Sequence, residues 1–185
     1  MSRAPALSRI RPGPAAFAVA LLLALLAAGT QGVVYARDEP PTTVAARVGE
    51  PVVLGGTEVA ATTITVAPAL PAAEPGDADV RGPAGSVFVL VVFRHQVDAT
   101  VDRERHSCTS TLVADDGTVW EPDDVYGYRL RRPEAMTCGD SGSSPLRPGV
   151  ERQIGASFLI PARYADQVRW RLSLDDDRSR LEVRP

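Results

Sequence analysis

The run Cys138-Gly139-Asp140-Ser141-Gly142 holds the residue types that acyl-transfer chemistry requires. A serine nucleophile needs a histidine base, an acid to orient that base and two N–H donors for the oxyanion. His95 and His106 are the bases on offer, so a small secreted hydrolase using Ser141 is the alternative to a non-enzymatic reading. His106 stands two residues before Cys108, a pair that could ligate a transition metal if the thiol were free. Two histidines and scattered carboxylates are too few for such a site, and no metal or other cofactor is expected. The acidic groups Asp115-Asp116, Asp123-Asp124 and Asp175-Asp176-Asp177 lack the alternating acids and glycine of a calcium loop and read as solvated turns. Trp120, Tyr126 and Tyr128 lie close in sequence to Arg129, Arg131 and Arg132. Aromatic and guanidinium groups near a loop suit a binding surface. All 20 basic residues are Arg, and the chain has neither Lys nor Asn. That removes Schiff-base chemistry, a phosphate-loop lysine, a Ser–Lys dyad and N-glycosylation.

Location decides how the cysteines are read. Arg3, Arg9 and Arg11 precede an apolar run from Ala15 to Ala28, and no acid occurs before Asp38. A basic flank, an apolar centre and a polar exit mark an export segment, with the basic end left in the cytoplasm. As a helix the strict run is about 21 Å long, which suits a cleaved signal peptide, and Val34-Tyr35-Ala36 offers a cleavage site after Ala36. Extended from Ala15 to Ala36 the segment reaches about 33 Å, enough to span, with Tyr35 and Arg37 at the outer interface. The adopted reading is a basic cytoplasmic N-terminus (1–14), a membrane anchor (15–36), an extended linker (37–47) and an extracytoplasmic domain (48–185), with secretion after cleavage as the alternative. In either case the domain meets an oxidising milieu. Cys108 and Cys138, the only cysteines, then read as a disulfide. Beyond Ala36 there are 17 Arg against 23 acids, a formal charge of −6. Such a domain is a poor general binder of nucleic acid.

The elements that must position these residues read as strands. Pro51-Val52-Val53-Leu54 runs into Gly55-Gly56, a hairpin signal, and Thr57–Ala67 follows, rich in Val, Ile and Thr. Residues 68–85 hold four Pro and three Gly and read as a loop crossing from one sheet to another. Ser86–Phe93 is apolar on both faces, as a buried central strand would be. Cys108–Ala114 and Thr118–Glu121 flank a second turn, Asp115-Asp116-Gly117. Residues 122–145 read as a long tethered loop. Ile154, Ala156, Phe158 and Ile160 alternate onto one face, Trp170, Leu172 and Leu174 onto another, and Leu181–Val183 closes the series. Seven or so short strands with turns between them predict an all-β, antiparallel sandwich preceded by one N-terminal hydrophobic helix.

The order of these signals resembles a known group. Gly49-Glu50-Pro51-Val52-Val53-Leu54-Gly55-Gly56 opens the domain, and Val87–Val92 is followed by Asp115-Asp116-Gly117-Thr118-Val119-Trp120. Leu146-Arg147-Pro148-Gly149-Val150 and Phe158-Leu159-Ile160-Pro161 come later. The pattern, over about residues 48–175, is similar to immunoglobulin-like extracytoplasmic modules of unknown function on Gram-positive surface lipoproteins and single-pass membrane proteins. The resemblance implies a β-sandwich without catalytic residues. No cysteine follows the apolar run, which departs from the lipoprotein members and favours a peptide anchor or free secretion. Gly-Asp-Ser-Gly is also similar to the nucleophile segment of trypsin-like proteases, but that fold needs two barrels, and only about 100 exported residues precede Ser141. The combined expectation is a membrane-tethered interaction or structural module at the bacterial cell envelope. Its partners would be the membrane, through the N-terminal helix, and an envelope protein or polymer.

Overall fold

Glycine pairs and β-branched runs set the strands of the sandwich. A computed structural model describes residues 41–131, 133, 135, 137–140, 145–174 and 179–185. The compact unit begins at Pro41. Its strands are β1 (Thr42–Ala46), β2 (Val52–Leu54), β3 (Thr57–Ala67), β4 (Ala69–Leu70), β5 (Val80–Arg81), β6 (Ser86–Val97), β7 (Cys108–Ala114), β8 (Val119–Trp120), β9 (Arg152–Pro161), β10 (Val168–Leu174) and β11 (Ser179–Val183). One helical turn, α1 (Asp124–Gly127), and a 3-10 turn, Ala162–Tyr164, complete the elements. Among the described residues one sheet has the order β1-β11-β10-β7-β8 and the other β2-β3-β6-β9, with β4-β5 a small separate ladder. Among the described residues the pairings between these strands are antiparallel except that of β1 with β11. The chain changes between the two main sheets from β1 to β2, from β6 to β7, from β8 to β9 and from β9 to β10.

Local chemistry accounts for the turns and the register. Gly55 and Gly56 have φ of 53° and 81°, which places Leu54 opposite Thr57 in a two-residue hairpin. L-residues with a β-carbon resist that pair of conformations. In β3 the register slips between Ala61 and Thr63. The bulge lets Val59 and Ala61 point inward before it and Ile64 and Val66 after it. Without the extra residue the second pair would turn to the opposite face. Thr62 at the bulge donates its hydroxyl to the Val92 carbonyl at 2.9 Å.

The core lies between the two main sheets. Val89, Val91 and Phe93 of β6 meet Ile154, Ala156, Phe158 and Ile160 of β9 and Trp170 and Leu172 of β10. Phe93 and Trp170 are in ring contact at 4.9 Å between centroids, and the Trp170 indole N–H donates to Ser110 Oγ at 2.7 Å. A buried indole needs such an acceptor. The outer face of β6 is also covered. Phe88 packs there with Leu70, Val80 and Leu130, flanked by Tyr126 and Leu159. This second cluster is why Ser86–Phe93 is apolar on both faces.

Three expectations change. Residues 42–46, assigned from the sequence to the linker 37–47, form strand β1 beside β11. Thr42-Thr43-Val44-Ala45-Ala46 is weakly apolar, but Val44 and Ala46 pack on the core. Residues 68–85 do not cross between sheets, since β3 and β6 are neighbours in one sheet. Their apolar residues fold back over Phe88 instead. The tethered loop 122–145 is partly ordered by α1 and by bridges of Leu130 to Ala72 and Ala135 to Ile154. The hydrophobic segment 15–36 and its flank 1–14 lie outside the described residues. Among the described residues no helix is long and apolar enough to cross a membrane.

Candidate binding groove and the polar end of the core

The open seam of the sandwich runs between β7 of one sheet and β9 of the other. β9 is the last strand of its sheet, and its free backbone edge is partly occupied by the loop that precedes it. Asp123 N–H donates to the Ser157 carbonyl at 2.7 Å, and Gly155 N–H donates to the Ala135 carbonyl at 3.1 Å. These bonds blunt an edge that would otherwise pair with another chain. They also bury Gly155 and Ser157, which alternation alone would place in solvent.

Between the strands and this loop lies a groove of about 320 Å³. Phe93, Ile154 and Ala156 line its apolar part, and Ser110, Asp123, Asp124 and Tyr128 its polar part. That size is at the small end for ligand pockets. Asp123 is occupied as the cap of α1, its Oδ1 accepting from Tyr126 N–H at 2.8 Å. At the rim α1 presents Val125 and its following residue Tyr128, 76% and 68% exposed. Two largely exposed side chains thus stand beside a groove that reaches Phe93.

The aromatic and Arg group read from the sequence is divided by the fold. Tyr128 lines the groove. Trp120 turns to Tyr164, with ring centroids 5.0 Å apart, and supports the main core. Tyr126 packs edge-on against Phe88 at 5.5 Å, on the outer face of β6. Arg129 and Arg131 are exposed, and their backbones tie the loop to residues 71–73 by bonds of 2.8 and 2.9 Å. Arg132 lies outside the described residues, as does Ser141.

The two cysteines are joined in a disulfide, with Cα atoms 5.5 Å apart. It fastens the first residue of β7 to the loop that leads into β9. Below it the core ends in polar groups that periodicity does not reveal. His95 and His106 belong to that polar end. They are 0% and 4% exposed, and their Nε2 atoms are 2.9 Å apart. Arg152, opposite His95 in the β6–β9 register, is also buried. Its guanidinium donates to the carbonyls of Cys138 and Gly139. Burial pulls Arg152 below its ordinary pKa, and the Asp140 carboxylate acts in the opposite direction. Asp140 in turn accepts from Leu146 N–H at 3.1 Å, which sets the Leu146–Val150 turn. Asp140 thus serves the turn and the buried Arg. Among the described residues no group of three or more His, Cys, Asp or Glu is placed to hold an ion, and Asp175, Asp176 and Asp177 lie outside those residues.

No family model matches the chain, and no curated protein matches it significantly in sequence. Among solved structures it is similar to a conserved hypothetical protein from Bacillus anthracis, at 13% identity and a TM-score of 0.51, covering 70% of this chain and 89% of that one. An uncharacterized β-sandwich protein from Clostridium difficile 630 aligns at 12% identity and a TM-score of 0.49, covering 79% of this chain and 96% of that one. The first likeness establishes the fold alone.

Proposed function

We propose that this chain is a non-enzymatic, immunoglobulin-like interaction module held at the bacterial cell envelope by its N-terminal hydrophobic segment. The observation that carries the reading is the rim of the seam groove. Val125 and Tyr128 are largely exposed beside an opening that reaches the core, on a loop tied down by the disulfide and by β9. A rigid sandwich that displays aromatic and aliphatic groups on a pinned loop is built for recognition. The repeated changes of sheet, together with a first strand parallel to the last, support the immunoglobulin-like description. The extracytoplasmic placement is supported by the basic-then-apolar N-terminus and by the disulfide.

The contact surface is tested by placing a photo-crosslinking phenylalanine analogue at position 128 of the full chain in its host. Illumination should yield a discrete adduct with an envelope component, and the same analogue at the exposed Val53 on β2 should not. Equal crosslinking from both positions, or from neither, contradicts a groove-centred contact.

A further inference from the structure

We propose that β1 is a pairing edge for a second copy of this chain, the two β1 strands joining antiparallel about a two-fold axis at Val44. Each main sheet ends in two strands with a free side, and three of those four ends are blunted. β9 is tied along its edge by the loop before it, through Asp123 N–H to the Ser157 carbonyl and Gly155 N–H to the Ala135 carbonyl. β2 is three residues long and follows Pro51, which has no N–H to offer. β8 is two residues long, and beyond it Glu121, Pro122 and Asp124 share a recess with Cys108, Thr109 and Ser110 of β7. Short strands, proline and covering loops are the usual means of stopping edge pairing.

β1 carries none of these. It has five residues, Thr42-Thr43-Val44-Ala45-Ala46, with no charge and no proline. Its pairing with β11 uses one side only. A strand paired on one side presents a row of unpaired N–H and C=O groups on the other. Among the described residues no loop backbone bonds to 42–46. Thr42, Thr43 and Ala45 are exposed, while Val44 and Ala46 are half-buried against the core.

The side chains identify the occupant as the same strand. A strand added from a foreign protein is selected by pockets for its alternate side chains. On the face turned from the core β1 has only Thr43 and Ala45, too small to form them. A second β1 needs no such selection, because the two-fold axis itself fixes the register. Centred on Val44, the axis sets Thr42 opposite the partner's Ala46, Thr43 opposite the partner's Ala45, and Val44 opposite the partner's Val44. No opposite pair brings like charges together, which would be destabilising. An axis perpendicular to the sheet leaves Val44 and Ala46 of both copies on the side that carries the core. The two five-stranded sheets then become one continuous sheet.

Five paired residues on each side bury far less than the roughly 1,600 Å² of a standard lasting interface, so the pairing is weak and reversible. It does not use the seam groove, which lies between β7 and β9 toward the opposite end of the five-stranded sheet. A pair therefore carries one groove near each end of the joined sheet.

Cysteine cross-linking of the full-length chain in its host tests the pairing. Chains with Thr43→Cys and chains with Ala45→Cys, made together under different tags, should form a mixed disulfide dimer at least about ten-fold more than either forms with itself, because only positions 43 and 45 fall opposite each other. Thr65→Cys, exposed on the interior strand β3, should give none. The Thr43→Lys/Ala45→Lys chain sets like charges opposite at both pairs. It should lose co-isolation with a differently tagged copy of itself after brief fixation, at an unchanged Tm, while Thr65→Lys keeps it. No mixed dimer, equal cross-linking of all combinations, or cross-links only to other proteins overturns the proposal. So does shielding of both cysteines from a maleimide in chains that stay monomeric, which would put the N-terminal segment on this edge. Co-isolation that survives the paired lysines overturns it as well.

Discussion

Replacing both cysteines by Ala should cost this domain a large part of its stability, mainly through the unfolded chain. The bridge closes a span of 30 residues. In the chain-entropy description such a closure is worth about 3.6 kcal/mol at room temperature. The unfolding entropy of a unit of this size is roughly 0.3 kcal/mol/K near its midpoint, so the loss corresponds to a fall of about 12 °C in Tm. Cys138 is fully buried, and the lost sulfur contacts add to that figure. The assay is thermal and urea unfolding of the purified 41–185 unit, with and without the substitutions. The urea slope should rise as the midpoint falls, because an open unfolded chain exposes more surface than a cross-linked one. A Tm change below about 3 °C with an unchanged slope would refute the reasoning and show that the loop is held by its other ties.

Other consequences follow from particular contacts. A chain truncated to begin at Val48 lacks β1, leaves the β11 edge unpaired and uncovers the core beneath Val44; it should unfold at lower urea than one beginning at Pro41, by about 1–3 kcal/mol, and equal midpoints would contradict the pairing. The Thr100 hydroxyl and N–H hold the Asp98 carboxyl below its ordinary pKa. Its contribution to stability is therefore full above the ordinary carboxylate range and is lost as pH falls through the depressed native value. Asp98→Asn should flatten the acid limb of a urea-midpoint series taken between about pH 5 and about pH 2, and a parallel acid limb in the variant would contradict this.

Much of the fold was legible because its signals are local. Gly55-Gly56 and Asp115-Asp116-Gly117 mark turns wherever they occur, and both connect paired strands here. The alternation of Trp170, Leu172 and Leu174 gives one inward face directly. Features set by distant partners were not legible. Nothing in Thr42–Ala46 announces a strand until β11 is beside it. Residues 68–85 looked like a crossing between sheets because Pro and Gly break a strand without saying where the chain returns. Gly155 and Ser157 alternate as if exposed, yet loop backbone covers them. The candidate surface was legible only in part. Trp120, Tyr126 and Tyr128 are close in sequence, but a turn, a helix and a core edge send them to three environments. The His95–His106 contact has no sequence signature, since neither histidine's neighbours show that both rings point into one core.

The claim on which the functional reading rests is that residues 41–185 lie beyond the membrane. The direct measurement is thiol trapping in intact cells of the native host. Cells are quenched with a membrane-permeant alkylating agent, and the chain is analysed by mass with and without prior reduction. The account predicts no alkylation of Cys108 or Cys138 until reductant is added, together with digestion of the domain by protease supplied from outside. Two alkylated cysteines in unreduced cells, with the domain protected from external protease, would contradict it.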